Sequence, residues 1–209
     1  MTTIVAIKNR RTKEIVCWHD GRVSTTDWSI AHEDANKFII FDNYWLLWCG
    51  SDHLKNLISH KYRKSFQDLL IEDKEDVLWF YQIYFDTVLN DETVKATEKN
   101  WEARHSTDYI IVTKDNIYSI NTLWEFMGSD IFSSKFHPEL EILSAGSWWT
   151  VCKDFIEWYL QHMDDARIET QLTSIELANL LKKWAEHAGS RIYTCNRNIS
   201  VYNATKLFK

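Results

Sequence analysis

Residues 37–51 read KFIIFDNYWLLWCGS, and their pattern decides how the chain folds. Two apolar runs, Phe38 to Phe41 and Tyr44 to Cys49, flank Asp42-Asn43. Asp and Asn bond their own backbone and tolerate turn geometry, so the stretch predicts a β-hairpin. Neither run alternates apolar with polar residues, and a strand that is apolar on both faces needs cover on both. After Gly50 the period changes. Leu54, Leu57, Ile58, Tyr62, Phe66, Leu69 and Leu70 recur at helical spacing, with Ser51 or Asp52 as the cap.

The same alternation extends in both directions. Upstream, Ile4 to Ile7 and Ile15 to Trp18 are β-rich runs joined by the polar Lys8 to Glu14, and Gly21 to Ser24 begins another extended piece. Downstream, Val77, Tyr81, Tyr84, Phe85 and Val88 mark a second helix, which the pattern carries on to about Arg104. Strands return in DYIIVTKDNIYSIN (Asp108 to Asn121), a hairpin about Lys114-Asp115-Asn116, and in LEILSAGS (Leu140 to Ser147). Asn121 to Pro138 has weak periodicity and reads as an inserted loop. Two more helical stripes follow: Val151, Phe155, Trp158, Tyr159 and His162, then Ile175, Ala178, Leu181, Trp184, Ala185 and Ala188. RIYTCN and ISVYN close the chain as a hairpin. Hairpins, two helices, hairpins, two helices and a hairpin predict an α+β protein of one domain spanning 1–209. Two antiparallel sheets lie face to face with a helix pair outside each, a four-layer α-β-β-α sandwich.

Composition narrows the function. The chain has 209 residues and a net charge of −6, which argues against a nucleic-acid grip built from clustered Lys and Arg. The densest basic run, NRRTK (Asn9 to Lys13), reads as a solvated turn. No apolar stretch reaches the ~18 residues of a membrane span. No secretory segment is expected after Met1, and the four scattered cysteines form no C-x-x-C, so a reducing cytoplasm is expected. The histidines are scattered as well, so neither metal nor cofactor is expected. The eleven tryptophans are read as core and contact residues.

The element order and a set of short motifs resemble the proteasome β-subunit group of N-terminal nucleophile (Ntn) hydrolases. The look is nearest to the peptidase subunit of the bacterial ATP-dependent two-component protease. The motifs, in family order, are TTIVAIK, DGR, NKFIIFDNYWLLWCGS, DYIIVTKDNIYSIN, LEILSAGS and AEHAGSRIYTCN. The resemblance implies a threonine peptidase. Removal of Met1 exposes Thr2 as nucleophile, and its own α-amine, titrating near pH 8, serves as base. Asp20, of DGR, then supports the charge network, and Lys37, of NKF, keeps the nucleophile's surroundings positive. Gly50, of CGS, donates its N–H to the oxyanion, and Ser147, of AGS, lies beside the threonine amine.

Each of these residues also has an ordinary reading. Asp20 suits a turn, Lys37 a strand start, and Gly50 and Gly146-Ser147 helix starts. The chain departs from the family pattern at Ser190, where an Asp is usual, and at Trp148-Trp149, where a glycine-rich turn is usual. The resemblance implies self-assembly into a ring or related oligomer, a polypeptide substrate, and a possible ATP-dependent unfoldase as partner. Two further classes stay open: a non-catalytic assembly subunit on the same sandwich, and an Ntn amidase acting on a small amide.

Overall fold

A computed structural model describes residues 3–24, 30–32, 34–97, 107–121, 132–133, 139–146, 199–206 and 208, with seven single helical residues between 158 and 183. Strands β1 (Thr3–Asn9) and β2 (Ile15–Asp20) form the first hairpin. Its turn is held by Asn9, whose Oδ1 accepts the N–H groups of Arg11 and Thr12 at 2.9 and 3.1 Å. The short pair β3 (Val23–Ser24) and β4 (Ile30–His32) follows. Next come β5 (Phe38–Ile40) and β6 (Trp45–Cys49), the hairpin of the opening motif. Strands β7 (Asp108–Val112) and β8 (Ile117–Asn121) make another hairpin. β9 (Phe132–Ser133), β10 (Leu140–Gly146) and β11 (Ile199–Asn203) complete the set.

The strands form two larger antiparallel sheets, one ordered β11-β2-β1-β10-β9 and one ordered β5-β6-β7-β8. Between them lies one core, in which Ile4, Ala6, Ile15, Cys17 and Leu143 pack with Phe38, Trp45, Leu47, Ile110 and Val112. The other face of the four-stranded sheet carries Leu46, Trp48, Tyr109 and Ile111, buried against Leu54, Ile58, Phe66, Val77, Phe80 and Tyr84 of the helices. The doubly apolar runs thus have cover on both faces, as their lack of alternation requires. The arrangement is α+β.

The helices follow the expected periods with two corrections. α1 (Asp52–Asn56) is capped by Ser51, whose side chain accepts the Leu54 N–H. It passes through a π-turn, Leu57–Lys61, into α2 (Arg63–Gln67). α3 (Lys74–Tyr84) begins at a capping box between Asp73 and Asp76 and also ends in a π-turn, Phe85–Leu89. The second helix does not run on unbroken. It stops at Asn90 and restarts as α4 (Glu92–Thr97), because buried Asp91 takes bonds from Lys61, Tyr62 and Thr93 at the break. The stretch read as an inserted loop, Asn121 to Pro138, is not wholly irregular: its Phe132–Ser133 pairs with β10. Of the last two helical stripes, Trp158, Gln161, Glu176, Asn179, Leu180, Lys182 and Lys183 are helical, and the rest lie outside the described residues. ISVYN pairs with β2 at the sheet edge, and RIYTCN lies outside the described residues.

One end of the sandwich is closed by charge. Lys8 Nζ reaches across from β1 to Asn116 Oδ1, in the β7–β8 turn, at 2.8 Å. It lies 3.5 Å from Glu141 Oε2, and Arg10 Nε donates to the other oxygen of Glu141 at 2.6 Å. Both Lys8 and Glu141 are buried. Removing one partner of a buried pair leaves the other uncompensated. Glu141→Ala is therefore expected to cost about 3 kcal/mol in urea unfolding, and combining Lys8→Met with Glu141→Leu should recover most of it.

Candidate active site

The opposite end of the sandwich gathers the sequence-predicted residues that fall in the described regions. The β1–β2 ladder reaches its last pair at Ile4 and His19. Beyond it, the Thr3 N–H is taken by a side chain: Asp20 Oδ1 accepts it at 2.8 Å. Asp20 Oδ2 accepts the Arg22 N–H at 3.3 Å. Asp20 therefore fixes the first described residue of β1 by a charge-assisted bond. It is buried, and burial pushes its carboxyl up to about 6, against the opposing pull of the Thr3 N–H and the Lys37 charge.

Lys37 stands one residue before β5, and its carbonyl accepts the Trp48 N–H at 3.1 Å. Its side chain is fully buried, with Nζ 4.5 Å from the centroid of the Trp48 ring. Such a contact holds an ammonium electrostatically in a place that water does not reach. Burial lowers the Lys37 amine to about 8, while the charges of Asp20, Cys49 and Asp52 resist that fall. Asp20 is ionised above about 6 and Lys37 is protonated below about 8, so between those values the site holds a buried pair of opposite charges.

Gly50 ends β6 at φ 122°, a left-handed value that a side chain would oppose. It turns the chain from strand into helix: Ser51 caps α1, and the Ser51 N–H donates to Thr107 Oγ1 at 3.0 Å. Gly50 is exposed at this turn. Thr2 and Ser147 lie outside the described residues. The described register ends just short of them, with Thr3 opposite Gly146, which itself has φ 98°. The structure thus brings Asp20 and Lys37 together and places the Gly50 turn next to Trp48 and Cys49.

Sequence reading passed over three features. One is the Thr3 main-chain N–H, which no residue type reveals. Another is His19, a polar residue in register with Cys17 and Ile15 on the inward face of β2, a break in pattern that was readable. His19 is buried, edge-on to Phe38 and stacked on Tyr202, with Nδ1 3.1 Å from the Asp20 carbonyl oxygen. That contact makes Nδ1 the donor. Burial, with the Lys37 charge assisting, holds the ring neutral, its value lowered to about 4. The third is Asp108, the cross-strand partner of Cys49. Among the described residues, no group of three or more His, Cys, Asp or Glu side chains is placed to hold a metal ion.

No protein-family model and no curated protein matches the chain, but solved structures do. Eukaryotic HslV from Trypanosoma brucei superposes with a TM-score of 0.60 at 15% identity, over 96% of this chain and 98% of that one. BPH from Thiobacillus denitrificans gives a TM-score of 0.69 at 10% identity, over 96% of each chain. The same BPH in complex with epoxomicin gives 0.65, also at 10% identity, over 96% and 97%. The chain has the proteasome-like fold of the Ntn hydrolases. At these identities the likeness is one of fold.

The shifts of the pair carry a sign for stability. Asp20 is raised, so its contribution is present below about 3.8 and lost as pH rises through about 6. Lys37 is lowered, so its contribution is present above about 10.5 and lost as pH falls through about 8. At pH 7 both charges count against folding. Asp20→Asn with Lys37→Met is therefore expected to be at least as stable as the parent in urea unfolding at pH 7. Lys37→Met alone should be less stable than that double variant, because it strands the Asp20 charge.

Proposed function

We propose that this chain is a threonine-type peptidase subunit, with Thr2, exposed by removal of Met1, as its nucleophile. The observation that carries the proposal is buried Asp20, bonded to the Thr3 N–H at the start of β1 and acted on by the charge of buried Lys37. Burying two opposite charges costs stability, and titratable groups shifted in this way cluster at functional sites. The epoxomicin complex of a protein of the same fold supports a peptidase over other chemistries.

In this reading Thr2 Oγ attacks the substrate carbonyl and its proton passes to the Thr2 α-amine. Lys37 holds a positive charge near the forming oxyanion and keeps that amine unprotonated at neutral pH. The Gly50 N–H donates to the oxyanion, and Ser147 bonds the amine. The tetrahedral intermediate collapses with loss of the peptide amine, which takes up the proton, and leaves a threonyl ester. Water then hydrolyses the ester and returns the free hydroxyl. Nucleophile and base share one residue, so their orientation is set before substrate arrives.

The same reading completes the fold as a four-layer sandwich. Val5, Ile7, Val16 and Trp18 lie on the face of the five-stranded sheet turned away from the central core, and they are buried. We propose that a helix pair covers them, which completes four layers. Assembly into a ring, a polypeptide substrate, an ATP-dependent unfoldase partner and a cytoplasmic setting follow from the peptidase reading. Sedimentation of a concentrated sample is expected to show several subunits; a monomer at micromolar concentration would weaken the peptidase case.

The direct test combines intact-protein mass spectrometry with a peptide epoxyketone. The expected result is a mature mass lacking Met1 and a single adduct on Thr2. Lys37→Ala should lower turnover of a peptide substrate by more than tenfold, a barrier increase above ~1.4 kcal/mol. Retained methionine and no adduct in native protein would instead favour the non-catalytic subunit. Hydrolysis of small amides without cleavage of peptides would favour the amidase.

A further inference from the structure

Asp108 opens β7 directly opposite Cys49, the residue before Gly50. Paired residues of neighbouring strands share a face. Cys49 belongs to the core between the sheets, so Asp108 stands on that inner face too, and the alternation agrees: Tyr109 packs toward the helices and Ile110 inward. The bond from the Ser51 N–H to Thr107 Oγ1 clamps the start of β7 to the Gly50 turn. Asp108 is therefore held one residue from that clamp, at the Gly50 end of the inter-sheet space.

Among the described residues its carboxylate has little compensation. Its side-chain partner among them is the Cys49 thiol, which donates to Oδ2 at 3.8 Å, a weak bond. Asp108 is half-buried, and burial raises its carboxyl above the ordinary range. On the facing wall, the neutral His19 ring has an Nε2 without a hydrogen-bond partner, an acceptor once Nδ1 is the donor. Among the described residues the inner walls at this end thus present the His19 Nε2 and the Asp108 carboxylate as acceptors. A lysine or arginine side chain would satisfy that carboxylate, since its ammonium or guanidinium supplies both the charge and the donors.

We propose that Asp108 sets substrate choice, receiving the cationic side chain of a lysine or arginine that precedes the cleaved bond in a polypeptide substrate. This rests on the peptidase reading above. The test uses the full chain and fluorogenic peptides that differ only in one residue, Arg or Leu, placed at each of the three positions before the cleaved amide. The Arg peptide should lead the Leu peptide at least tenfold in kcat/KM at one of these positions. Asp108→Asn should collapse that ratio toward one, and Asp108→Glu should restore most of it, which a merely structural role would not do. An equal ratio in the parent, or a ratio unmoved by Asp108→Asn, overturns the proposal. Binding of the same peptides by fluorescence anisotropy separates the two readings. Preferred binding of the Arg peptide that is lost in Asp108→Asn, in a chain that cleaves nothing, keeps Asp108 as the group that receives the cationic side chain and removes the peptidase. Cleavage or binding without charge preference removes the proposal.

Discussion

A buried carboxylate and a buried amine organise one end of this molecule. Asp20 holds the Thr3 N–H at 2.8 Å, and the charge of Lys37 acts on Asp20 from beside the Trp48 ring. Neither group sits at its ordinary titration value: burial moves Asp20 up to about 6 and Lys37 down to about 8. The opposite charge on each opposes the shift of the other. Were either removed, the remaining group would face burial without compensation, and neutralisation would be its cheapest escape. The start of β1 is thus tied to an electrostatic arrangement as well as to its sheet.

The rest of the fold supplies the burial that this arrangement needs. Trp48 faces the helices because β6 alternates between two cores, and that alternation sets the ring beneath the Lys37 ammonium. Cys49, the next residue, faces the other core, and Gly50 then turns the chain into α1. Three successive residues therefore serve the helix-side core, the inter-sheet core and the rim. At the far end, Lys8, Asn116 and Glu141 tie the two sheets by a polar bridge. With one end clamped by charge and the long hairpins buried on both faces, the sheets have little freedom to slide past one another.

Much of this was legible in the sequence where hydrophobic pattern alone decided. Phe38 to Cys49 announced a doubly buried hairpin, and Ser51 announced its helix cap, because turn and cap chemistry are local. The proteasome-like fold was legible through the order of several short motifs, each weak alone. The break at Asp91 was not legible. It depends on Lys61 and Tyr62, about thirty positions earlier in the chain, which converge on one carboxylate only after the helices pack. In the site, Asp20 and Lys37 were named from motif order, but the link from Asp20 to the Thr3 main-chain N–H leaves no trace in residue type. Asp108 and His19 were missed as well. His19 breaks the apolar alternation of Ile15 and Cys17, a signal that was readable, whereas Asp108 is an ordinary polar residue until the strand register shows that it faces inward.

Asp20 and Lys37 perturb each other inside the fold, and a titration of the Asp20 side-chain carboxyl by carbon-detected NMR measures this directly. The expected midpoint is near 6 in the parent chain, against 3.8 for an ordinary aspartate. A clear rise in that midpoint is expected in Lys37→Met, since the amine's positive charge holds the carboxyl down. An Asp20 that titrates near its ordinary value, and does so equally with and without Lys37, would contradict this coupling.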